Sequence, residues 1–383
     1  MTGKAEERHA SWLELFFDLV AVAGVAQLTH LVHGSTSWGG AGLYAVCFLA
    51  FWMAWMCFTV IGNVIGDATR AMPVLVAMAG LVFMAASVRE VHDGHAAVFA
   101  GAYLGVRVLA SRVWEGSREE RVVAEWPVVH AGVSMLPWIA SFWVDGPWRY
   151  ALWAFGLALD LLITFTVSGE RVVAKVAERL SRHGQPADQV AFGRLDPAHF
   201  GERLGLFTII VLGEGVLTVT AAMAEHAEWH APLFWTVSAA LTLLGTLWGA
   251  ALHHGFGGIP YLSPGRLGPK ALLPLHGLIT GLLAAFAAGL GAAVESVEHG
   301  HVDGATRWLL CGCLAAFTVL GAGVGFGSGH RKGWVLAGLA VGVMIPAALG
   351  SFGGALAPAW FLWLLVVAAG GGLAAGSLAK RPR

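Results

Sequence analysis

Ile279-Thr280-Gly281-Leu282-Leu283-Ala284-Ala285-Phe286-Ala287-Ala288-Gly289-Leu290 carries no charge and no alternation of polar with apolar positions. The segment from Leu157 to Val167 reads the same way, with Asp160 as its one charge. A membrane-barrel strand alternates over about 10 residues, so these runs are helical. A bilayer core takes about 20 mostly apolar residues per helical crossing, and such stretches recur along the chain between short polar breaks. The whole composition agrees: of 383 residues 57% are hydrophobic and only 12% charged, too few polar groups to clothe a water-soluble surface. The net charge of -1, with no long basic run outside one connection, excludes a nucleic-acid footprint.

Working outward from these runs, one polar break to the next, gives spans near 11–31, 39–62, 71–91, 96–113, 122–144, 148–167, 200–222, 232–252, 271–294, 305–324, 334–349 and 355–378. The expected fold is therefore all-α and polytopic, with about twelve transmembrane helices. Lysine and arginine concentrate in cytoplasmic loops. With both termini cytoplasmic, only Arg89, Arg149 and Arg307 of the 23 basic residues fall on the outer face. An odd span count would move either the Arg112, Arg118 and Arg121 group or the Lys380, Arg381 and Arg383 tail to the wrong side. The polar N-terminal residues precede a long apolar stretch with no small-residue cleavage site, so the N-terminus is expected to be retained. The expected organisation is a six-helix half over 1–168, a cytoplasmic linker over 169–199 and a second six-helix half over 200–383. In the linker Arg171, Lys175, Arg179 and Arg182 recur at helical spacing beside Val172, Val173, Val176 and Leu180, the pattern of a surface amphipathic helix or of a solvated linker.

A charge at mid-bilayer costs about 2.5 to 3.5 kcal/mol on insertion scales, so each one needs a partner, water or a role. Glu14 and Asp18, four apart in the first span, share a helical face. Asp160 lies mid-way through the sixth span, and Arg107 is expected to serve as counter-ion to Asp18 or Glu14, either functionally or as a structural pair. In the seventh span, Arg203 and Glu214 share a face about 16 Å apart along the axis, too far to pair. Glu214 stands between Gly213 and Gly215 and suits proton handling or a packing hydrogen bond. His130, His199 and His276 are relay candidates beside Arg107, and Glu202 joins Glu14, Asp18, Asp160, Arg203 and Glu214 as path candidates. No catalytic residue is assigned. His253-His254 lacks a third ligand, and Cys47, Cys57, Cys311 and Cys313 read as packing thiols, so no metal site and no cofactor are expected. Several of the 17 tryptophans sit near span ends as interfacial anchors. Trp52, Trp55, Trp138, Trp153, Trp235 and Trp248, with Phe16, Phe17, Phe51 and Phe207, either line an apolar cavity or pack in the core and against lipid.

Three segments together resemble the bacterial low temperature requirement protein A family. They are Trp12-Leu13-Glu14-Leu15-Phe16-Phe17-Asp18-Leu19-Val20, Leu157-Ala158-Leu159-Asp160, and His199-x-x-Glu202-Arg203-x-Gly205-Leu206-Phe207-Thr208-Ile209-Ile210-Val211-Leu212-Gly213-Glu214. The resemblance implies a polytopic bacterial membrane protein and carries over Glu14, Asp18, Asp160, His199, Glu202, Arg203 and Glu214 as motif positions. It assigns no reaction. Gly215 stands where relatives commonly have serine and Ala21 where a larger side chain is usual, which is expected to open space near the acids.

The leading expectation is a transporter or permease-like protein of the bacterial cytoplasmic (inner) membrane, in which Asp18, Asp160 and Glu214 couple protons to a small solute. The alternatives are an intramembrane enzyme acting on a lipophilic, isoprenoid-like substrate by acid catalysis, and a non-catalytic stress scaffold. Expected partners are membrane lipids and a small-molecule or lipophilic substrate.

Overall fold

A computed structural model of the chain describes residues 9–32, 38–66, 71–92, 94–116, 121–124, 132–166, 174, 178, 181–182, 190–193 and 195–379. Its helices are α1 (Trp12–Ala26), α2 (Trp38–Ile65), α3 (Ala71–Ser87), α4 (Ala96–Gly116), α5 (Met135–Ala140), α6 (Pro147–Thr166), α7 (Pro197–Ala224), α8 (Ala231–Trp248), α9 (Pro269–Glu295), α10 (Gly304–Gly327), α11 (Lys332–Phe352) and α12 (Pro358–Ala379). A single helical turn, Thr29–Val32, follows α1. Two four-residue strands, β1 (Arg121–Ala124) and β2 (Val190–Gly193), pair in parallel with Arg121 opposite Val190. Among the described residues eight helices are long and apolar enough to cross a membrane, and α3 is apolar but shorter.

Local chemistry sets the helix starts. Ser11 and Glu14 form a capping box at α1: the Glu14 N–H donates to Ser11 Oγ at 3.3 Å and the Ser11 N–H to Glu14 Oε2 at 2.8 Å. Asp196 caps α7, its Oδ1 accepting the Ala198 N–H at 2.9 Å, and Asp303 caps α10 through the N–H groups of Ala305 and Thr306. Inside the helices Thr208, Thr218, Thr280 and Thr318 donate their hydroxyls to carbonyls one turn back, which satisfies them in an apolar medium.

The expected fifth span, 122–144, differs. Its start is strand β1, its described helix is only Met135–Ala140, and a 3-10 turn over Ser141–Trp143 ends it. Val122 and Val123 favour extended backbone. Residues 125–131, His130 among them, and most of the linker, with the basic stripe of Arg171, Lys175 and Arg179, lie outside the described residues.

The chain forms two compact units. One comprises 1–28, 42–203 and 267–274, and the other 29–41, 204–266 and 275–383. In the first, α1 packs on α3 and α3 on α4; in the second, α10, α11 and α12 pack in succession and α8 packs on α12. Apolar side chains also face outward on many helices, among them Met72, Phe83, Leu217, Met344 and Trp360, each more than half exposed. An apolar exterior of this extent is what lipid covers.

Candidate functional site

The first unit holds two buried charge networks. One starts from the capping box. α1 places Glu14 and Asp18 one turn apart, and both carboxylates turn to Arg203 of α7. Arg203 Nη1 lies 2.9 Å from Glu14 Oε1, its Nε donates to Asp18 Oδ2 at 3.0 Å, and its Nη2 donates to Asp18 Oδ1. The Trp55 indole N–H, from α2, donates to Asp18 Oδ1 at 2.6 Å. Asp18 and Arg203 are essentially inaccessible, and Glu14 keeps 12% of its side chain exposed. Room for Glu14 comes from Gly62 of α2, where a Cβ would lie 2.8 Å from Glu14 Oε1.

His199, one turn before Arg203, completes this network. Its Nε2 is 3.4 Å from Glu14 Oε2 and its Nδ1 is 3.0 Å from Asn63 Nδ2. The Asn63 carboxamide also grips the Asp196 backbone, accepting its N–H at 2.8 Å and donating to its carbonyl at 3.2 Å. With a neutral imidazole, two carboxylates face one guanidinium, so the network carries one excess negative charge. Such a site is completed by a proton or by a cation.

The second network is balanced. Arg107 of α4 binds Asp160 of α6 with two N–H groups, at 2.6 and 3.1 Å, and also donates to the Tyr103 hydroxyl at 2.8 Å. Ser134 adds a hydroxyl to Asp160 Oδ1 at 2.6 Å. Beside it Trp138 and Trp153 stack at 5.1 Å with 9° between their planes, and Phe99 and Tyr103 pack on the pair. The expectation that Arg107 serves Glu14 or Asp18 is thus corrected. Arg107 stands at mid-helix opposite Asp160, and Arg203 takes both acids of α1.

The other expected residues lie apart from these networks. Glu202 is partly exposed, with His9 Nδ1 3.5 Å away. Glu214, in the second unit, is half-buried, and among the described residues its carboxylate has no hydrogen-bond or ion-pair partner. His276 is fully buried in that unit, and its Nε2 lies 3.1 Å from the Leu204 carbonyl and 3.4 Å from Thr208 Oγ1. Gly215 does not open space: a Cβ there would lie 2.9 Å from Leu244 Cδ2 and 3.1 Å from Ala287 Cβ, so the glycine permits close helix packing. Of the aromatic set, Trp52, Trp55, Trp138, Trp153, Phe17, Phe51 and Phe207 are buried, whereas Trp235, Trp248 and Phe16 are about half exposed.

Sequence reasoning missed Asn63, and Trp55 as a donor to Asp18, together with Tyr103 and Ser134. A signal existed for the first two, because Trp55, Thr59 and Asn63 recur at intervals of four and mark one face of α2. Tyr103 likewise precedes Arg107 by one turn.

The family model described as "Bacterial low temperature requirement A protein (LtrA)" matches residues 9–374. An uncharacterized protein of Rhizobium meliloti (strain 1021) is 25% identical over 259 residues, which is 65% of this chain and 60% of that protein. The chain thus spans less than two thirds of that relative's length. No solved structure matches.

Proposed function

Because the chain belongs to the bacterial low temperature requirement A family, we propose that its charged core serves proton-coupled movement of a small solute across the bacterial cytoplasmic membrane. The observation that carries this reading is the charge imbalance of the Glu14, Asp18 and Arg203 network. A buried site of two carboxylates and one guanidinium gains by accepting a proton, and releasing it restores the excess charge. Glu14 retains partial access, so the site can exchange with its surroundings. Glu214, eleven residues beyond Arg203 on α7, offers a second carboxylate able to bind a proton in apolar surroundings. Asp160 is assigned a structural role because Arg107, Ser134 and Tyr103 already satisfy it or its partner. The stacked Trp138 and Trp153 rings fill their own space, which favours transport over an aromatic reaction chamber for a lipophilic substrate.

The test uses proteoliposomes with a pH-sensitive dye inside and a panel of amines, amino acids, sugars and organic acids added outside. At least one solute class is expected to change the internal pH through the wild-type protein and not through Glu14→Gln. A panel in which no solute moves protons, or in which Glu14→Gln behaves as wild type, would contradict the proposal.

A further inference from the structure

The carboxamide of Asn63 has only one orientation that suits its neighbours. Its Oδ1 accepts the Asp196 N–H and its Nδ2 donates to the Asp196 carbonyl. Turning the amide over would set oxygen against that carbonyl and NH2 against that N–H, two repulsive contacts around a side chain only 5% exposed. The Nδ2 group therefore faces His199 Nδ1 with hydrogens to give and no lone pair to receive. Nδ1 must accept. The single proton of a neutral ring then sits on Nε2, which is aimed at Glu14 Oε2.

We infer that Asn63 is a positioning residue that holds His199 as the neutral Nε2–H tautomer, so that a proton entering the network goes to the Glu14 and Asp18 carboxylates. The Nε2 side of the imidazole faces Glu14 Oε2 at 3.4 Å. A second proton on Nδ1 would meet the Asn63 NH2 group, and accommodating it requires the carboxamide to leave Asp196, the cap of α7. Protonation of His199 is thereby tied to release of the α7 N-terminus from α2. The charged groups tied to His199 are Glu14, which faces Nε2 and joins Asp18 of α1 through Arg203 of α7, and Asp196, whose Oδ1 accepts the His199 N–H. α2 contributes Asn63 and carries no charge of its own. The functional consequence rests on the proton-carrying reading of the network, whereas the tautomer itself does not.

The experiment is nitrogen NMR of the full-length protein, labelled at histidine and reconstituted in lipid nanodiscs. The His199 signals are identified by their loss in His199→Gln. At about pH 7 the wild type is expected to show an unprotonated Nδ1 and a protonated Nε2. Asn63→Asp supplies a second acceptor at Nδ1 and is expected to give a doubly protonated ring, while Asn63→Leu gives a mixture of tautomers. A wild-type ring protonated at Nδ1, or a wild-type tautomer ratio equal to that of Asn63→Leu, overturns the inference. Should neither Asn63 variant fold, the wild-type spectrum still decides. The expected tautomer without solute-coupled pH change in proteoliposomes would remove the transport reading and leave the lock intact.

Discussion

The two buried networks differ by one carboxylate. Arg107 and Asp160 form a pair of equal and opposite charges to which Tyr103 and Ser134 add hydrogen bonds. Glu14 and Asp18 outnumber Arg203, and with the ring beside them in the neutral tautomer inferred above the balance is not restored. A closed, balanced pair fixes helices and has nothing to exchange. An unbalanced one, with an acid that reaches the surface, can exchange a proton, and the surrounding helix ends need only hold it in place.

The largest effect expected from this contrast is on stability. Breaking the balanced pair by Asp160→Ala leaves Arg107 buried without that counter-charge, at a cost of about 3 to 5 kcal/mol. Replacing both partners by apolar residues, Arg107→Met with Asp160→Leu, is expected to recover most of that loss. Thermal unfolding in detergent or lipid reads both, and a double variant as unstable as the single one would give the pair a role beyond packing. Glu14→Gln should do the reverse. It turns the first network into a balanced pair, keeps a capping box through the glutamine side chain, and abolishes solute-driven pH change in proteoliposomes.

Smaller changes sharpen the comparison. Gly62→Ala places a methyl group 2.8 Å from Glu14 Oε1 and pushes that carboxylate off Arg203. Proton coupling is expected to fall several-fold while the melting temperature moves little, and an unaltered coupling would show that the Glu14 contact is dispensable. Asp303, outside both networks, serves as the control. Burial raises its carboxyl, but hydrogen bonds from the Thr306 side chain and from the Thr306 and Ala305 N–H groups, together with Arg307, outweigh that and hold it below the usual range. Its contribution is therefore present above the unfolded carboxyl pKa of about 3.9 and is lost as pH falls through the lower folded value. Asp303→Ala should cost about 1 kcal/mol at neutral pH, show a smaller difference in acid, and leave coupling untouched.

Much of this site is legible in the sequence. The four-residue spacing of Glu14 and Asp18, and the cost of Arg203 and Asp160 in apolar spans, mark the right residues. Partner choice is not legible from cost alone, because either Arg107 or Arg203 is long enough to serve α1. Depth separates them: Arg203 and Asp18 each stand seventh in their helices, whereas Arg107 and Asp160 both stand near the middle of theirs. Asn63 escaped notice because a neutral carboxamide near a helix end carries little hydropathy signal. Its role depends on the Asp196 backbone, 133 residues away in the chain. The strand at 121–124 was hidden for a related reason, since its pairing with 190–193 is a long-range contact that overrides local apolarity.

The most direct test of the charge imbalance is infrared difference spectroscopy of the reconstituted protein between about pH 8 and about pH 5, with Asp and Glu carboxyls isotopically labelled. The wild type is predicted to gain a protonated-carboxyl band on acidification that is absent from both Glu14→Gln and Asp18→Asn, because either change leaves a single acid opposite Arg203. A band that persists unchanged in both variants, or a wild-type network that gains none, would contradict the account.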